Sequence, residues 1–217
     1  MINNNNIYFR DNWVTVNFNS FCHSIKDSTV VATQKVQAFV NSPRGKEKIK
    51  DVVKCGLGVG IGAGIEYPIK CLTDKILKAS GLYINYGTPV IPIGLKVIVF
   101  PIFCIICPVF EEFDFRRDRQ EQYKEKFKVF YLNRGTSEAF ANTAARVTAV
   151  ISTSILFGLY HTWNVIFCLN DPMRVLPQVV HTTILGIFLG MAKELAGSMD
   201  VPIGMHMGYN MNAVIRF

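Results

Sequence analysis

The chain has 217 residues, 50% of them hydrophobic and only 18% charged, with a formal net charge of +7, a pI near 9.1 and a mean hydropathy of +0.24. Soluble domains carry charge on about a quarter of their residues, and here the polar residues concentrate in residues 1–51 and 114–138, leaving strongly apolar stretches between. That distribution excludes an ordinary soluble domain, and it makes membrane topology, not nucleic acid, the better account of the positive charge, because basic loops beside membrane segments set orientation.

Residues 1–51 read as a polar, basic cytosolic extension with a short helix around Val30–Val40 and no cleavable leader: Met1-Ile-Asn-Asn-Asn-Asn6 is polar and no apolar core follows it. The transmembrane bundle is expected over 52–217. Its first span, 52–72, alternates glycine with apolar residues from Gly56 to Gly64. A phosphate-binding loop would need a preceding buried strand and a following Gly-Lys-Ser/Thr, both missing here. Small residues that let helices approach closely explain the glycines better. Glu66 and Lys70, four apart, are read as solvating a helix end. The stretch 80–110 gives a second span, interrupted by Pro89, Pro92, Pro101 and Pro108 and therefore kinked, tilted or partly loop. The six cysteines, Cys22, Cys55, Cys71, Cys104, Cys107 and Cys168, lie mostly in or beside apolar runs. They are read as small apolar side chains, including the Cys104-x-x-Cys107 pair.

The apolar run 97–110 ends in Glu111-Glu112, with Arg116 four residues after Glu112. A charge at membrane depth costs about 2.5–3.5 kcal/mol on insertion scales, and two adjacent carboxylates cannot both ionise cheaply. Such a pair needs a cation, a cavity or a chemical task. Residues 116–134 then form a basic connector, expected to be a solvated amphipathic helix on the cytoplasmic side. A third span covers 139–169, most clearly Val147–Leu169, and Asn170-Asp-Pro172 signals a turn. A fourth covers 173–195, and Gly197-Ser-Met-Asp200 leads into a fifth that runs to Phe217. The fold class is thus an all-α polytopic bundle of about five spans. With the basic region near Lys50 inside, its C-terminus is outside.

Two later segments carry polar residues at helical spacing. Phe157 and His161 share one helix face, as do His206 and Asn210. These faces point into the bundle, since imidazole and carboxamide are poorly tolerated against lipid. His161 or His206 alone would read as a satisfied core histidine. His181 reads as structural or pathway-lining, and Tyr160, Trp163 and Tyr209 as packing or interface anchors. Taken together, a carboxylate beside a neutral imidazole can hold and deprotonate a water, and a second imidazole with an amide can donate to a developing oxyanion. These are the parts for hydrolysing an amide without a serine or cysteine nucleophile. Buried Glu and His also mark ion paths, so a transporter or proton relay is the alternative, with a catalytically silent scaffold as a third reading.

In chain order, Glu111-Glu112-Phe-Asp-Phe-Arg116, Phe157-Gly-Leu-Tyr-His161 and His206-Met-Gly-Tyr-Asn210 resemble the three motifs of the CPBP (Abi) family of intramembrane proteases, which includes the type II CAAX prenyl endopeptidases. The resemblance covers roughly residues 100–212. It implies a glutamate-type peptidase in which Glu111 and His161 activate water, His206 and Asn210 form the oxyanion hole, and Glu112 and Arg116 order the site. It implies membrane lipids and a peptide or lipidated protein as partners, with CAAX processing of prenylated proteins or bacterial peptide processing and self-immunity as its settings. No cofactor is implied. Zinc on Glu111, His161 and His206 is the chemically reasonable variant, although no His-Glu-x-x-His pair is present. Arg117 stands where the family often has glycine, residues 1–51 have no counterpart, and only seven residues follow Asn210.

Overall fold

The computed structural model describes residues 34–35, 37–81, 100–163 and 172–216. Contacts divide the chain into two units, Met1–Asp51 and Val52–Phe217, and every expected site residue lies in the second. Of the helix expected around Val30–Val40, residues 34–35 and 37–40 are described and are helical, whereas 82–99 of the second expected span and the turn at 170–171 lie outside the described residues. Among the described residues there is no strand. The chain is an all-α helical membrane bundle built from α1 (Pro43–Ala79), α2 (Cys107–Glu112), α3 (Gln120–Asn133), α4 (Glu138–Tyr160), α5 (Pro172–Ala196) and α6 (Asp200–Arg216). A π-helical segment, Ile102–Ile106, precedes α2, a second, Phe113–Arg119, joins α2 to α3, and a 3-10 turn, His161–Trp163, follows α4.

Among the described residues, three helical segments, Pro43–Ala79, Glu138–Trp163 and Val175–Ala196, are long and apolar enough to cross a bilayer. The stretch 80–110 is described only from residue 100, and α6, at 17 residues, spans about 25 Å against a hydrocarbon core of about 30 Å.

Residues 102–133 form one unbroken helical rod, so the connector expected at 116–134 is not a solvated helix at its start. Phe115, Arg116 and Gln120 are buried there. The rod turns back at Gly135, whose φ of 77° suits a residue without a Cβ. Ser137 then caps α4 by accepting from the Phe140 N–H at 3.3 Å. So short a connection makes α3 and α4 an antiparallel pair, tied by the Tyr131 hydroxyl and Thr148 Oγ1 at 3.0 Å.

Helix α4 shows why this sequence packs as a membrane bundle. Ala141, Ala145 and Ala149 recur every fourth residue and are fully buried, while Val147, Ile151, Ile155 and Leu159 recur at the same spacing on the exposed side. Small residues inside and large apolar residues outside are what a bilayer selects. The same logic joins α1 to α6. A Cβ at Gly58 or Gly62 would collide with the backbone of Val201 or Met205, and one at Gly204 or Gly208 with that of Cys55 or Val59. The close-approach reading of the glycines therefore holds for Gly58 and Gly62, while Gly56, Gly60 and Gly64 face open space. Ile69 of α1, Ile184, Leu185 and Leu189 of α5, and Met205 and Tyr209 of α6 close the core.

Candidate active site

Pro108 shapes the rod beside the carboxylate pair. It has no N–H to donate, and its ring crowds the carbonyl four residues back. The Cys107 N–H reaches past to the Ile102 carbonyl, five residues earlier. The Phe103 carbonyl is left without a backbone donor, because its helical partner Cys107 is engaged elsewhere and the next candidate is Pro108. Asn210 of α6 supplies the missing donor, Nδ2 to Phe103 O at 2.8 Å. One amide hydrogen of Asn210 is thus committed to the backbone, and a second remains for other use.

Consecutive helical residues point about 100° apart, so Glu111 and Glu112 have different surroundings. Glu112 is fully buried. Its Oε1 accepts from His206 Nδ1 at 3.0 Å, and its Oε2 lies 3.5 Å from Arg116 Nε. Glu111 retains 24% side-chain exposure, with Oε2 at 3.5 Å from His206 Nε2. The His206 ring therefore sits between the two carboxylates. Because Nδ1 donates to Glu112, a neutral His206 offers a lone pair at Nε2, and a protonated one offers an N–H there.

Phe157 is the hub of the remaining groups. Its carbonyl accepts from His161 Nδ1 at 2.8 Å, which leaves His161 Nε2 as the unprotonated nitrogen of the neutral ring. Its own ring meets the His161 ring edge-on at 4.9 Å and the His206 ring at 5.7 Å, and the Arg116 guanidinium lies 5.4 Å from its centroid. Arg116 is fully buried, with Nη1 donating to Thr153 Oγ1 at 3.3 Å. The Thr153 hydroxyl hydrogen goes to the Ala149 carbonyl at 2.8 Å, so its lone pairs are free to accept from Arg116.

The fold thus brings Glu111, Glu112, Arg116 and His206 into direct contact and gathers His161 and His206 around Phe157. Direct contact between Glu111 and His161 is not among the interactions seen, and the one hydrogen bond seen for Asn210 serves the rod. Thr153 and Gln120 belong to the same neighbourhood and are not among the residues that the motifs single out, whereas Phe157 opens the second motif. The signal was the helical period: Thr153 is one turn before Phe157, and Gln120 one turn after Arg116. The zinc variant needs Glu111, His161 and His206 as one donor set. Among the described residues no group of three or more His, Cys, Asp or Glu comes together to hold a metal ion.

The other polar residues are placed as follows. His181 donates from Nδ1 to Thr73 Oγ1 at 3.2 Å, since the Thr73 hydrogen is used on the Ile69 carbonyl, and its ring packs on Tyr209 at 5.4 Å. That is a structural role joining α1, α5 and α6. Glu66 departs from its expected place at a solvated helix end. It is buried in mid-helix and accepts from Asn212 Nδ2 at 3.3 Å, because α6 covers that face of α1. Cys104 is buried and Cys107 half-buried, both as free thiols.

A family model described as Type II CAAX prenyl endopeptidase Rce1-like matches residues 93–212, more than half of the chain. The chain belongs to this family. Membership makes it a protease of the intramembrane CAAX-endopeptidase class, and the apolar helices make it an integral membrane protein. No curated protein and no solved structure matches the chain.

Proposed function

We propose that this CAAX-type protease hydrolyses its peptide bond with a water activated by Glu111 and His161, while His206, protonated and donating from Nε2, and Asn210 receive the developing oxyanion and Glu112 and Arg116 hold the site in order. Glu111 takes a proton from the water as the oxygen bonds to the scissile carbonyl carbon. The C–N bond then breaks, and the proton passes to the leaving amine. The His161 Nε2 lone pair suits a second acceptor on the same water. The observation that carries the reading is the His206 ring held between an anchored carboxylate and a partly open one. Glu112 fixes the imidazole from one side, as an orienting carboxylate does for a catalytic histidine, leaving Nε2 directed at Glu111.

A prenylated substrate is suggested by the family and is compatible with the apolar surface beside Glu111. Phe103, Ile106 and Phe110 on the same rod are exposed apolar side chains, and an isoprenoid-bearing C-terminal peptide offers matching chemistry beside its scissile bond. The test compares cleavage of prenylated and unprenylated peptides by the wild type and Glu111→Gln in detergent or bicelles. Loss of a general base lowers kcat by about 10²–10⁴-fold, with the prenylated peptide preferred. Full activity of Glu111→Gln would sink the glutamate mechanism. Chelator-sensitive activity restored by zinc would move the water onto a metal. Equal cleavage of both peptides would point to general peptide processing, and proton flux without cleavage would assign the cluster to a relay.

A further inference from the structure

Glu111 divides the rod 102–133 into two unlike ends. Before it, Phe103, Ile106 and Phe110 are exposed apolar side chains. Beyond it lies a polar groove of about 370 Å³, lined by Asp114, Asp118, Arg119, Gln122, Tyr123 and Lys126. The mechanism above uses none of these six. A CAAX-type peptide is unlike at its ends in the same way: its cysteine carries the isoprenoid, and three residues later the chain stops in a carboxylate. The isoprenoid belongs with the apolar end of the rod. A free carboxylate cannot follow it there, because a charge at membrane depth is costly, so it turns toward the groove.

Of the cations beside this groove, Arg119 is the one placed for a carboxylate. Arg117 already gives both Nε and Nη2 to Asp118, at 2.7 and 3.0 Å. Lys126 is fifteen residues beyond Glu111, about 22 Å along the helix axis. Arg119 is eight residues beyond it, about 12 Å. An extended tripeptide spans about 10–11 Å, so its terminal carboxylate reaches Arg119 when the bond that precedes it lies at Glu111.

The Arg119 side chain is held ready. Its Nε donates to Asp114 Oδ1 at 2.9 Å, and its guanidinium lies 5.0 Å from the Phe115 ring centroid. It therefore leans back along the rod, as long helical side chains do, which is toward Glu111. The Phe115 ring meets those of Phe157 and Tyr160 at 5.1 and 5.7 Å, and Phe157 meets the His161 ring at 4.9 Å. The guanidinium thus rests on the same aromatic group as His161. With Nε engaged, Nη1 and Nη2 still carry four N–H donors in one plane, and a carboxylate can accept two of them side by side. Asp114 offsets part of the positive charge and fixes the direction of the fork, so recognition depends on geometry as much as on charge. The side chain is 47% exposed and open to an incoming peptide.

We propose that Arg119 binds the C-terminal carboxylate of the substrate and so sets the register of cleavage, placing the bond three residues from the chain end at Glu111. The register rests on the hydrolytic reading above, whereas carboxylate binding does not.

The experiment compares a prenylated peptide ending in a free carboxylate with the same peptide ending in an amide. Loss of a hydrogen-bonded charge partner predicts that the wild type cleaves the acid with a kcat/KM roughly tenfold to a hundredfold higher, mainly through KM. In Arg119→Gln the acid-to-amide ratio falls to near one. A ratio of one in the wild type overturns the proposal. So does a ratio that survives in Arg119→Gln, even if both rates fall, since that assigns Arg119 to packing or to lipid headgroups. Reduced-amide analogues of both peptides, which cannot be hydrolysed, give the same comparison as Kd by fluorescence anisotropy. A wild type that cleaves neither peptide counts against the hydrolytic reading, and the Kd ratio then decides the role of Arg119 alone: an acid preference lost in Arg119→Gln supports it, and equal Kd values overturn it.

Discussion

Arg116→Met tests whether the Glu112–Arg116–His206 group behaves as a buried unit. Both members of the ion pair have fully buried side chains, 3.5 Å apart at Nε and Oε2. Exposed ion pairs contribute about 0–1 kcal/mol. Removing one member of a buried pair instead strands the other charge, at about 3–5 kcal/mol. Here Glu112 would keep His206 Nδ1 at 3.0 Å as its partner, so the lower half of that range, about 3 kcal/mol, is the expected cost. In a chain of this size 1 kcal/mol moves Tm by about 2–4 °C, so the shift is about 6–12 °C. The decisive comparison is the double variant Glu112→Gln/Arg116→Met, which removes both charges and retains the shape. It should be more stable than Arg116→Met alone by about 2 kcal/mol, although both variants lose peptidase activity. Thermal and denaturant unfolding in one detergent give these values. A cost below 1 kcal/mol for Arg116→Met, or additive effects of the two substitutions, would refute the buried-unit argument.

Two further predictions follow from helix geometry. Asn210→Ala orphans the Phe103 carbonyl and should cost about 1–3 kcal/mol. In a Pro108→Ala background, where residue 108 regains an N–H, the same change should cost clearly less, and equal costs in unfolding assays would rule out the capping role. On α1, Gly62→Leu drives a side chain into the Met205 backbone and should lower Tm sharply, whereas Gly60→Ala faces open space and should be neutral or stabilising by about 0.5–1 kcal/mol. Similar Tm values for both would refute the α1–α6 packing.

Much of the site was legible because membrane helices make polar residues conspicuous. Glu111, Glu112, Arg116, His161, His206 and Asn210 all stand out against apolar runs, and three motifs in order narrow the chemistry. Partner choice was not legible. Spacing shows that Glu112 and Arg116 share a face, yet only the crossing of α6 over the rod puts His206 Nδ1 on Glu112 and Asn210 on the Phe103 carbonyl. The basic character of 116–134 suggested a solvated connector, and the error lay at its start. Glycines at 186 and 190 open a space for Arg116 and Gln120 that composition cannot reveal. Glu66 misled in the same way, since its neighbour Lys70 suggested a surface pair and its cover, Asn212, comes from the far end of the chain.

On the proposed mechanism, one helical step separates an anchor, Glu112, from a base, Glu111. Glu112 is fully buried, with Oε1 held by His206 and Oε2 3.5 Å from Arg116 Nε. A carboxylate so placed is closed to solvent. Glu111, 100° around the helix, has one oxygen near His206 Nε2 and part of its surface open. Of the two, Glu111 is the carboxylate with an open side for the proposed water. The imidazole between them then acts as a gauge: its Nδ1 is fixed by the anchor, so any charge it gains is presented through Nε2 on the Glu111 side. Exchanging the pair's roles would place the base inside the packed core and the anchor at the opening. In the double substitution Glu111→Gln/Glu112→Gln, activity should therefore match that of Glu111→Gln alone, while the loss of stability should match that of Glu112→Gln alone.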